Sequence, residues 1–412
     1  MDNVTHTLAG LLLGEAAVRL RARRTGREPS GAFRTAAAVA GAVGANLPDA
    51  DVLYTALSGD RLVYLLHHRG YTHTVAAALP AVALVWALGV WLARRRGGAA
   101  PGDAPWLLAV AAAAVASHLA LDWTNNYGVH PFWPVRNAWY YGDAVFIVEP
   151  WLWVVAVPAL ALAARWRASR ALLLAVLGAG LALAWLVGVV PRAGALALTG
   201  GAVLAFALAS RLAPLARVTV AIAAWLLVEG VFFVSTRAAR AHLAGPGVVD
   251  AIVTPVPAFP PCATALVVST EGTGADARYV LTTATVAAWP ALVDVARCGH
   301  GDGRGGARSL AMRPSPRPAT AAVRWERTWD APLAELVTLA RTNCQVAALL
   351  RFTRAPFWFR DDAATLRVGD LRYDREPGLG FAELRVPERP AACPRNVPPW
   401  RPPRAELLDA AP

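Results

Sequence analysis

The sequence contains no lysine, so its 40 strongly basic side chains are all arginines. Charged residues make up only 17% of the 412-residue chain, whereas hydrophobic residues make up 56% and the mean hydropathy is +0.40. This composition excludes an ordinary soluble protein of this length and indicates a polytopic membrane protein. The net charge of +12 does not indicate nucleic-acid binding, because the arginines lie mainly in short loops between apolar segments, where they determine topology.

Cysteine is also scarce, and it is absent from the apolar part of the chain. The four cysteines are Cys262, Cys298, Cys344 and Cys393. An even number of cysteines confined to one region predicts disulfides in an oxidising compartment, with three possible pairings. The alternative is four unrelated reduced thiols.

Long apolar segments fill the first part of the chain. A membrane-spanning helix needs about 20 apolar residues, and six segments meet or approach that length: 74–93, 105–121, 144–164, 171–190, 194–210 and 218–234. The shorter, alanine-rich segments 4–18 and 33–47 each predict a short span or a helix half-buried at the membrane surface. We therefore expect a mainly α membrane bundle of about eight helices, the first two short, over residues 1–237.

Arginine positions predict the sidedness of this bundle. The arginines cluster in four loops, which all lie on one side if eight helices alternate, and the positive-inside rule makes that side cytoplasmic. Segments 46–73 and 122–143 are then extracytoplasmic. Proline clusters such as "VTPVPAFPPC" and strand-like runs such as "TALVVST" predict a separate β-rich, proline-rich extracytoplasmic domain over residues 238–412.

Metal-ligand residue types gather on the predicted outer side. His118 and Asp122 are the most informative pair, because an i, i+4 spacing puts both on one helical face, and ionisable groups at membrane depth usually pair or serve a function. Taken alone, Asp49 and Asp51 also fit an Asx turn or a helix cap, and interfacial histidines need not bind anything. The candidate ligands are His6, Asp49, Asp51, His68, His73, His118, Asp122 and His130, with His67, Asp143 and Glu149 as weaker candidates.

Mixed imidazole and carboxylate ligands suit Zn²⁺, Mn²⁺ or Fe²⁺ better than Ca²⁺. The candidates outnumber the ligands of one tetrahedral ion, which predicts two or more divalent ions. Such a cluster can bind both the attacking and the leaving oxygen of a phosphoester. We assign the catalytic roles to Asp49 and to Arg69, which lies between the histidines and suits a phosphate oxygen.

Five signatures in residues 1–150 resemble the YdjM-type family of bacterial inner-membrane, LexA-regulated, metal-dependent hydrolases. They are "MDNVTHTLAG", "GANLPDAD", "HHRGYTHT", "SHLALDWTNNYGVHPFWPV" and "YYGDAVFIVEP", in the expected order. The resemblance implies a hydrolase of the bacterial inner membrane.

A more distant similarity is to zinc-dependent phospholipase C and the related single-strand nucleases, which have a three-metal site. By that similarity the ligands would be Asp49 or Asp51, His68 or His73, His118, Asp122 and His130, with His6 as an early ligand. The sequence departs from those enzymes at the last ligand pair, a His-x-x-x-Glu, where it has Asp143 and Glu149.

The sequence thus predicts a membrane-bound hydrolase that uses metal-activated water against a phosphoester of a lipid or lipid-linked headgroup. No nucleic-acid partner is expected. The alternative is a non-enzymatic transporter or metal-handling protein in which the same histidines and aspartates form an ion site, and Glu15 and Glu229 are further polar groups that such a protein could use. An interaction role for residues 240–412 also stays open.

Overall fold

The computed structural model describes residues 1–97, 100, 102–299, 310–362, 365–374, 378–390 and 392–409. Its first part is helical and its second part contains two antiparallel sheets. The helices of the first part are α1 (Asn3–Thr25), α2 (Gly31–Gly44), α3 (Asp51–Ser58), α4 (Arg61–His67), α5 (Val75–Arg95), α6 (Asp103–Trp123), α7 (Pro150–Ala163), α8 (Arg167–Leu186), α9 (Arg192–Arg211) and α10 (Pro214–Ala241). The predicted mainly α membrane protein with a β-rich C-terminal region is confirmed.

Five of these helices, α5, α6, α8, α9 and α10, are long and apolar enough to cross a membrane. The apolar helix α7 has only 14 residues, about 21 Å at 1.5 Å per residue, which is shorter than a hydrocarbon core of about 30 Å. Five of the six predicted spans therefore have the required length and composition, and the sixth is a shorter apolar helix.

The first helix is longer than the predicted segment 4–18. It continues to Thr25 because the arginine-rich segment that follows the apolar run consists of residues with good helix propensity. Gly26 then ends the helix in the left-handed conformation, with φ of 65°. The predicted segment ended where the apolar residues of this helix end, but the helix itself continues beyond them.

Helix α7 begins later than the predicted segment 144–164. The N–H groups of Ala144 and Val145 both donate to the carbonyl oxygen of Thr124, which holds the preceding residues in a loop. The Glu149 carboxylate accepts from the N–H of Trp151 and caps the helix, with proline at the first helical position.

Helices α1 and α2 cross at very short distance through glycine. A Cβ placed on Gly10 would lie 2.1 Å from the Gly41 carbonyl oxygen, and one on Gly14 would lie 2.6 Å from the Ala37 carbonyl oxygen. Only glycine permits this approach, as in other small-xxx-small helix contacts in membranes. The crossing brings the start of α1 next to the end of α2.

The second part contains a five-stranded and a three-stranded antiparallel sheet. The strands are β1 (Val248–Val256), β2 (Phe259–Glu271), β3 (Arg278–Ala287), β4 (Arg313–Pro314), β5 (Val323–Pro332), β6 (Pro356–Arg360), β7 (Thr365–Asp370) and β8 (Glu383–Pro387), in the orders β1-β2-β3-β5-β4 and β6-β7-β8. Short helices α11 (Leu333–Thr342), α12 (Cys344–Leu349) and α13 (Ala405–Asp409) accompany them. The four cysteines form two disulfides, Cys262–Cys298 and Cys344–Cys393.

This β-rich part packs on the loops that connect the helices at one end of the bundle. Leu65 and Leu66 of α4 share a hydrophobic core with Phe352 and Phe357. The indole N–H of Trp400 donates to the Leu66 carbonyl oxygen at 2.8 Å. Segment 46–73, which was predicted to lie on the same side of the membrane as the C-terminal part, therefore contacts the C-terminal part.

A buried ion-pair network joins the two parts. The guanidinium of Arg354 donates to both carboxylate oxygens of Asp143, at 2.7 and 2.8 Å, and to Asp250 at 2.7 Å. Arg240 at the end of α10 also contacts both aspartates. Burial alone would raise the pKa of Asp250, but Arg354 and the other neighbouring arginines lower it to about 2.

Candidate metal centre

The centre lies where α1 begins and where α2 and α6 end. Asp49 belongs to a 3₁₀ turn, Leu47–Ala50, which contains Pro48 and follows α2. His68 and His73 lie on either side of Gly70, in the segment between α4 and α5. His118 and Asp122 lie one turn apart on α6, as their spacing predicted. Neither residue has exposed surface.

Four ligand atoms from three segments converge in this centre: one each from Asp49, His73, His118 and Asp122. The Nε2 atom of His73 lies 3.0 Å from the Nε2 atom of His118, 3.3 Å from Asp49 Oδ1 and 3.0 Å from Asp122 Oδ2. The Nε2 atom of His118 lies 3.6 Å from Asp49 Oδ1 and 3.2 Å from Asp122 Oδ2.

These separations fit a small tetrahedral cation. Ligands about 2.0–2.1 Å from a Zn²⁺ ion in a regular tetrahedron lie about 3.3 Å from one another. The five measured separations run from 3.0 to 3.6 Å. The residues present therefore match both the size and the donor types of a zinc site.

Hydrogen bonds on the far sides of the imidazoles orient their inner nitrogens. His118 Nδ1 lies 2.7 Å from the Ala45 carbonyl oxygen, to which it donates. His73 Nδ1 lies 3.0 Å from the Thr72 hydroxyl, which itself donates to Asp51 at 2.7 Å. Both Nε2 atoms consequently present lone pairs to each other and to two carboxylates, an arrangement that a cation stabilises.

A second group of donors shares Asp49 with the first. It consists of Asp49, Asp51 and His68. His68 Nδ1 lies 2.9 Å from Asp51 Oδ1, and the other oxygen of Asp51 accepts from the N–H of Arg69. One carboxylate, that of Asp49, therefore belongs to both groups.

The electrostatics of the centre favour cation binding. Burial alone would raise the pKa values of Asp49 and Asp51, but the neighbouring imidazoles hold both below their ordinary value. Burial alone would lower the pKa of His73, but Asp122 and Asp49 raise it. The carboxylates are thus ionised at neutral pH, and the imidazole between them attracts a proton or, in its place, a metal ion.

The Arg69 guanidinium contacts an aspartate of the centre. Its guanidinium lies 2.8 Å from Asp122 Oδ1 and donates to the Asn125 side-chain oxygen at 3.0 Å. The residue is only 2% exposed and has φ of 59°. Arg69 therefore neutralises and positions Asp122, because its backbone and guanidinium are both held by the centre.

His6 reaches the centre but belongs to neither donor group. Its Nε2 atom lies 3.2 Å from Asp122 Oδ1, and its ring stacks on His118 at a centroid distance of 4.0 Å. The amino group of Met1 also donates to Asp122. His6 thus packs beside the ligand pair, within reach of one of its carboxylate oxygens.

The structure does not bring four of the predicted candidates to the centre. His130 lies between Trp139 and Trp400, with ring centroids 4.0 and 4.4 Å away, and burial lowers its pKa to about 4. Asp143 is held by Arg354, as described above. The remaining two have backbone partners: His67 contacts the Asn396 carbonyl oxygen, and Glu149 accepts from the N–H groups of Trp151 and Ala258.

Sequence reasoning missed three polar residues that support the centre. Thr72 connects the two donor groups, and Asn125 holds Arg69. The Tyr127 ring lies under the Arg69 guanidinium at 4.8 Å, and its buried hydroxyl has no hydrogen-bond partner in the described part of the chain. Thr72 and Asn125 lie within the signatures noted above, but their side chains carry no ligand pattern of their own.

Comparison with known proteins supports the resemblance drawn from the signatures. Residues 1–193 match the family model described as YdjM inner membrane protein. The matched region, just under half of the chain, is similar to that family. It contains every member of both donor groups, so the candidate centre lies within the matched region. No curated protein and no solved structure matches this chain.

Proposed function

We propose that this protein is a membrane-bound, metal-dependent hydrolase that cleaves a phosphoester of a lipid or lipid-linked headgroup. The observation that carries the proposal is the convergence of two imidazole nitrogens and two carboxylate oxygens at tetrahedral spacing. Such mixed ligands suit Zn²⁺ best, with Mn²⁺ or Fe²⁺ as alternatives. The shared Asp49 supports two ions rather than one.

A divalent ion in such a centre supplies Lewis acidity and lowers the pKa of water. The protein's own part is positional: Ala45 and Thr72 orient the imidazoles, and Arg69 orients Asp122. In the reaction, a water oxygen bonds to phosphorus, the ester P–O bond breaks, and the leaving alcohol carries away the proton. Bound cations would attract the negative phosphoryl group, while Arg69 keeps Asp122 in position.

Two features support an extracytoplasmic position for the centre and the C-terminal part. Helices α1 and α5 both begin at the centre and end in arginines, so these two arginine-rich ends lie away from the centre. The two disulfides are typical of an oxidising compartment. A reporter fused after residue 240 should be active only outside the cytoplasm, and activity inside would contradict this sidedness.

The transporter alternative gains no support from the polar groups it would use. Glu15 accepts from Arg19 at 2.6 Å, and Glu229 accepts from the Trp225 indole at 2.7 Å. Both carboxylates have partners on their own helices, and the candidate ligands lie at helix ends. The hydrolase proposal accounts for the donor geometry more fully.

The proposal is tested by hydrolysis of a substrate panel. The purified chain is offered phosphomonoester lipids, phosphodiester lipids and carboxyl esters, with and without a chelator. We expect hydrolysis of one phosphoester class, its loss on chelation, and its recovery when Zn²⁺ or Mn²⁺ is added back. Hydrolysis that is unaffected by complete metal removal, or of carboxyl esters alone, would contradict the proposal.

A further inference from the structure

An open groove of about 620 Å³ runs along α1 in the membrane part. The floor is one face of α1, which includes Leu8, Leu11 and Gly14. One wall is α2, with the small residues Ala38 and Ala42, and the other wall consists of α7 and α8. This volume falls in the range of about 300–1,000 Å³ that ligand sites in proteins usually have.

The groove connects directly with the metal centre. Asn3 lines its first end and lies 3.5 Å from Asp49 Oδ2, through its side-chain amide. The same end contains Thr7, whose hydroxyl accepts from Asn46. A molecule that fills the groove would therefore present its adjoining end to the carboxylate shared by both donor groups.

The length of the groove suits a lipid chain. It follows α1 from Asn3 to Glu15, which is about 18 Å at 1.5 Å per residue and slightly more than half of a hydrocarbon core about 30 Å thick. Apolar and small side chains dominate the lining between these two ends. At this depth a bilayer offers hydrocarbon rather than water to an open apolar surface.

The position of the metal centre sets a direction for the groove. The far end is lined by the Glu15 carboxylate, which is paired with Arg19, and by Arg34 and Arg165, so its charges are mixed. The first end adjoins the donor atoms of the centre, and cations bound there would attract a phosphate. We propose that the groove holds one acyl chain of a phospholipid substrate, with the phosphate at the metal centre. This inference rests on the proposed function and adds the substrate's mode of binding.

Photocrosslinking of a lipid chain tests the inference without requiring hydrolysis. The full chain is reconstituted in phosphatidylcholine nanodiscs with phosphatidic acid that carries a diazirine either near the glycerol or at the chain terminus. We expect the glycerol-proximal probe to label peptides around Asn3 and Ala42, and the terminal probe to label peptides around Glu15 and Arg34. A reversed pattern, or no labelling of α1 and α2, would overturn the inference.

Groove-filling variants provide the matched control. Ala38→Trp should lower labelling of α1 about tenfold, equivalent to about 1.4 kcal/mol of binding. Ala42→Leu serves as a second variant if the first does not fold. Ala175→Trp, at an exposed position of α8 outside the groove lining, should leave labelling unchanged. Equal labelling in the Ala38 and Ala175 variants would overturn the inference.

The two proposals fail in different ways. If the groove is labelled in the expected direction but no phosphoester is hydrolysed by the metal-loaded protein, the proposed function is wrong and the lipid groove stands. If a short-chain, water-soluble phosphoester is hydrolysed but the groove is not labelled, the hydrolase stands and the groove inference is wrong.

Discussion

The glycine crossing of α1 and α2 makes a strong prediction about stability and metal binding together. A methyl group on Gly10 would lie 2.1 Å from the Gly41 carbonyl oxygen, whereas ordinary contacts begin at 3.4 Å. The helices would have to separate by about 1.3 Å, the difference between these distances. Such overpacking costs about 1–3 kcal/mol, while alanine returns up to about 1 kcal/mol of helix propensity.

Because the overlap is with backbone, the upper end of this cost applies, and the Gly10→Ala variant should lose about 2 kcal/mol of stability. Gly178→Ala is the matched control, because a Cβ there meets no atom within 4 Å and should be neutral or stabilising. A displacement of α2 would also disturb the contact between the Ala45 carbonyl oxygen and His118. Loss of a hydrogen bond to a metal-binding imidazole typically lowers metal affinity about 10- to 100-fold.

The assay combines thermal unfolding in detergent with a chelator competition titration. We expect Gly10→Ala to unfold at lower temperature than Gly178→Ala and to release metal at lower chelator concentration. If the two variants unfold at the same temperature and hold metal equally, the close crossing does not position the centre, and the reasoning is refuted.

Three further predictions concern other parts of the molecule. Asp250→Asn should lower the free energy of unfolding by about 2 kcal/mol at pH 7, because the pKa of this carboxyl is lowered from 3.8 to about 2 and each pKa unit contributes about 1.4 kcal/mol. That contribution is present above pH 3.8 and is lost as the pH falls through 2. The unfolding curves of the two proteins should therefore converge in strong acid. Thr72→Val should weaken metal binding about tenfold in a dye-competition titration, since the hydroxyl connects Asp51 with the imidazole of His73, and unchanged affinity would count against this role. Cys344→Ser should lower the stability of the C-terminal part by about 2–5 kcal/mol in a denaturant titration, and an unchanged midpoint would show that the disulfide is not formed.

Much of the membrane part could be predicted from the sequence because apolar length is a local property. All four members of the first donor group could also be proposed from the sequence. Metal-ligating residue types are rare in apolar segments, and His118 and Asp122 have helical spacing. The helix boundaries were less accurate. The end of α1 depends on a glycine beyond an arginine-rich stretch, and arginine has good helix propensity, so the helix continues past the apolar segment.

The exclusion of His130 could not be predicted because it depends on distant parts of the chain. Trp400, near the other end of the sequence, stacks on its ring and occupies the space next to it. The Asp143 carboxylate likewise accepts a hydrogen bond from Arg354 of the C-terminal part. Arg69 was placed near the centre correctly, but only the folded structure shows that its charge is directed at Asp122. Residue types predicted the region of the site, and long-range packing selected its members.

The central claim, that the four converging donors bind a metal ion, is tested most directly by counting metal atoms per chain. The native protein, purified without chelator, should contain at least one tightly bound divalent ion by elemental mass spectrometry, and His118→Ala should lose it. His130→Ala is the matched control, because this histidine is equally buried but lies outside both donor groups. Of the two variants, only His130→Ala should retain the metal. A native protein without metal, or equal amounts of metal in both variants, would contradict the account.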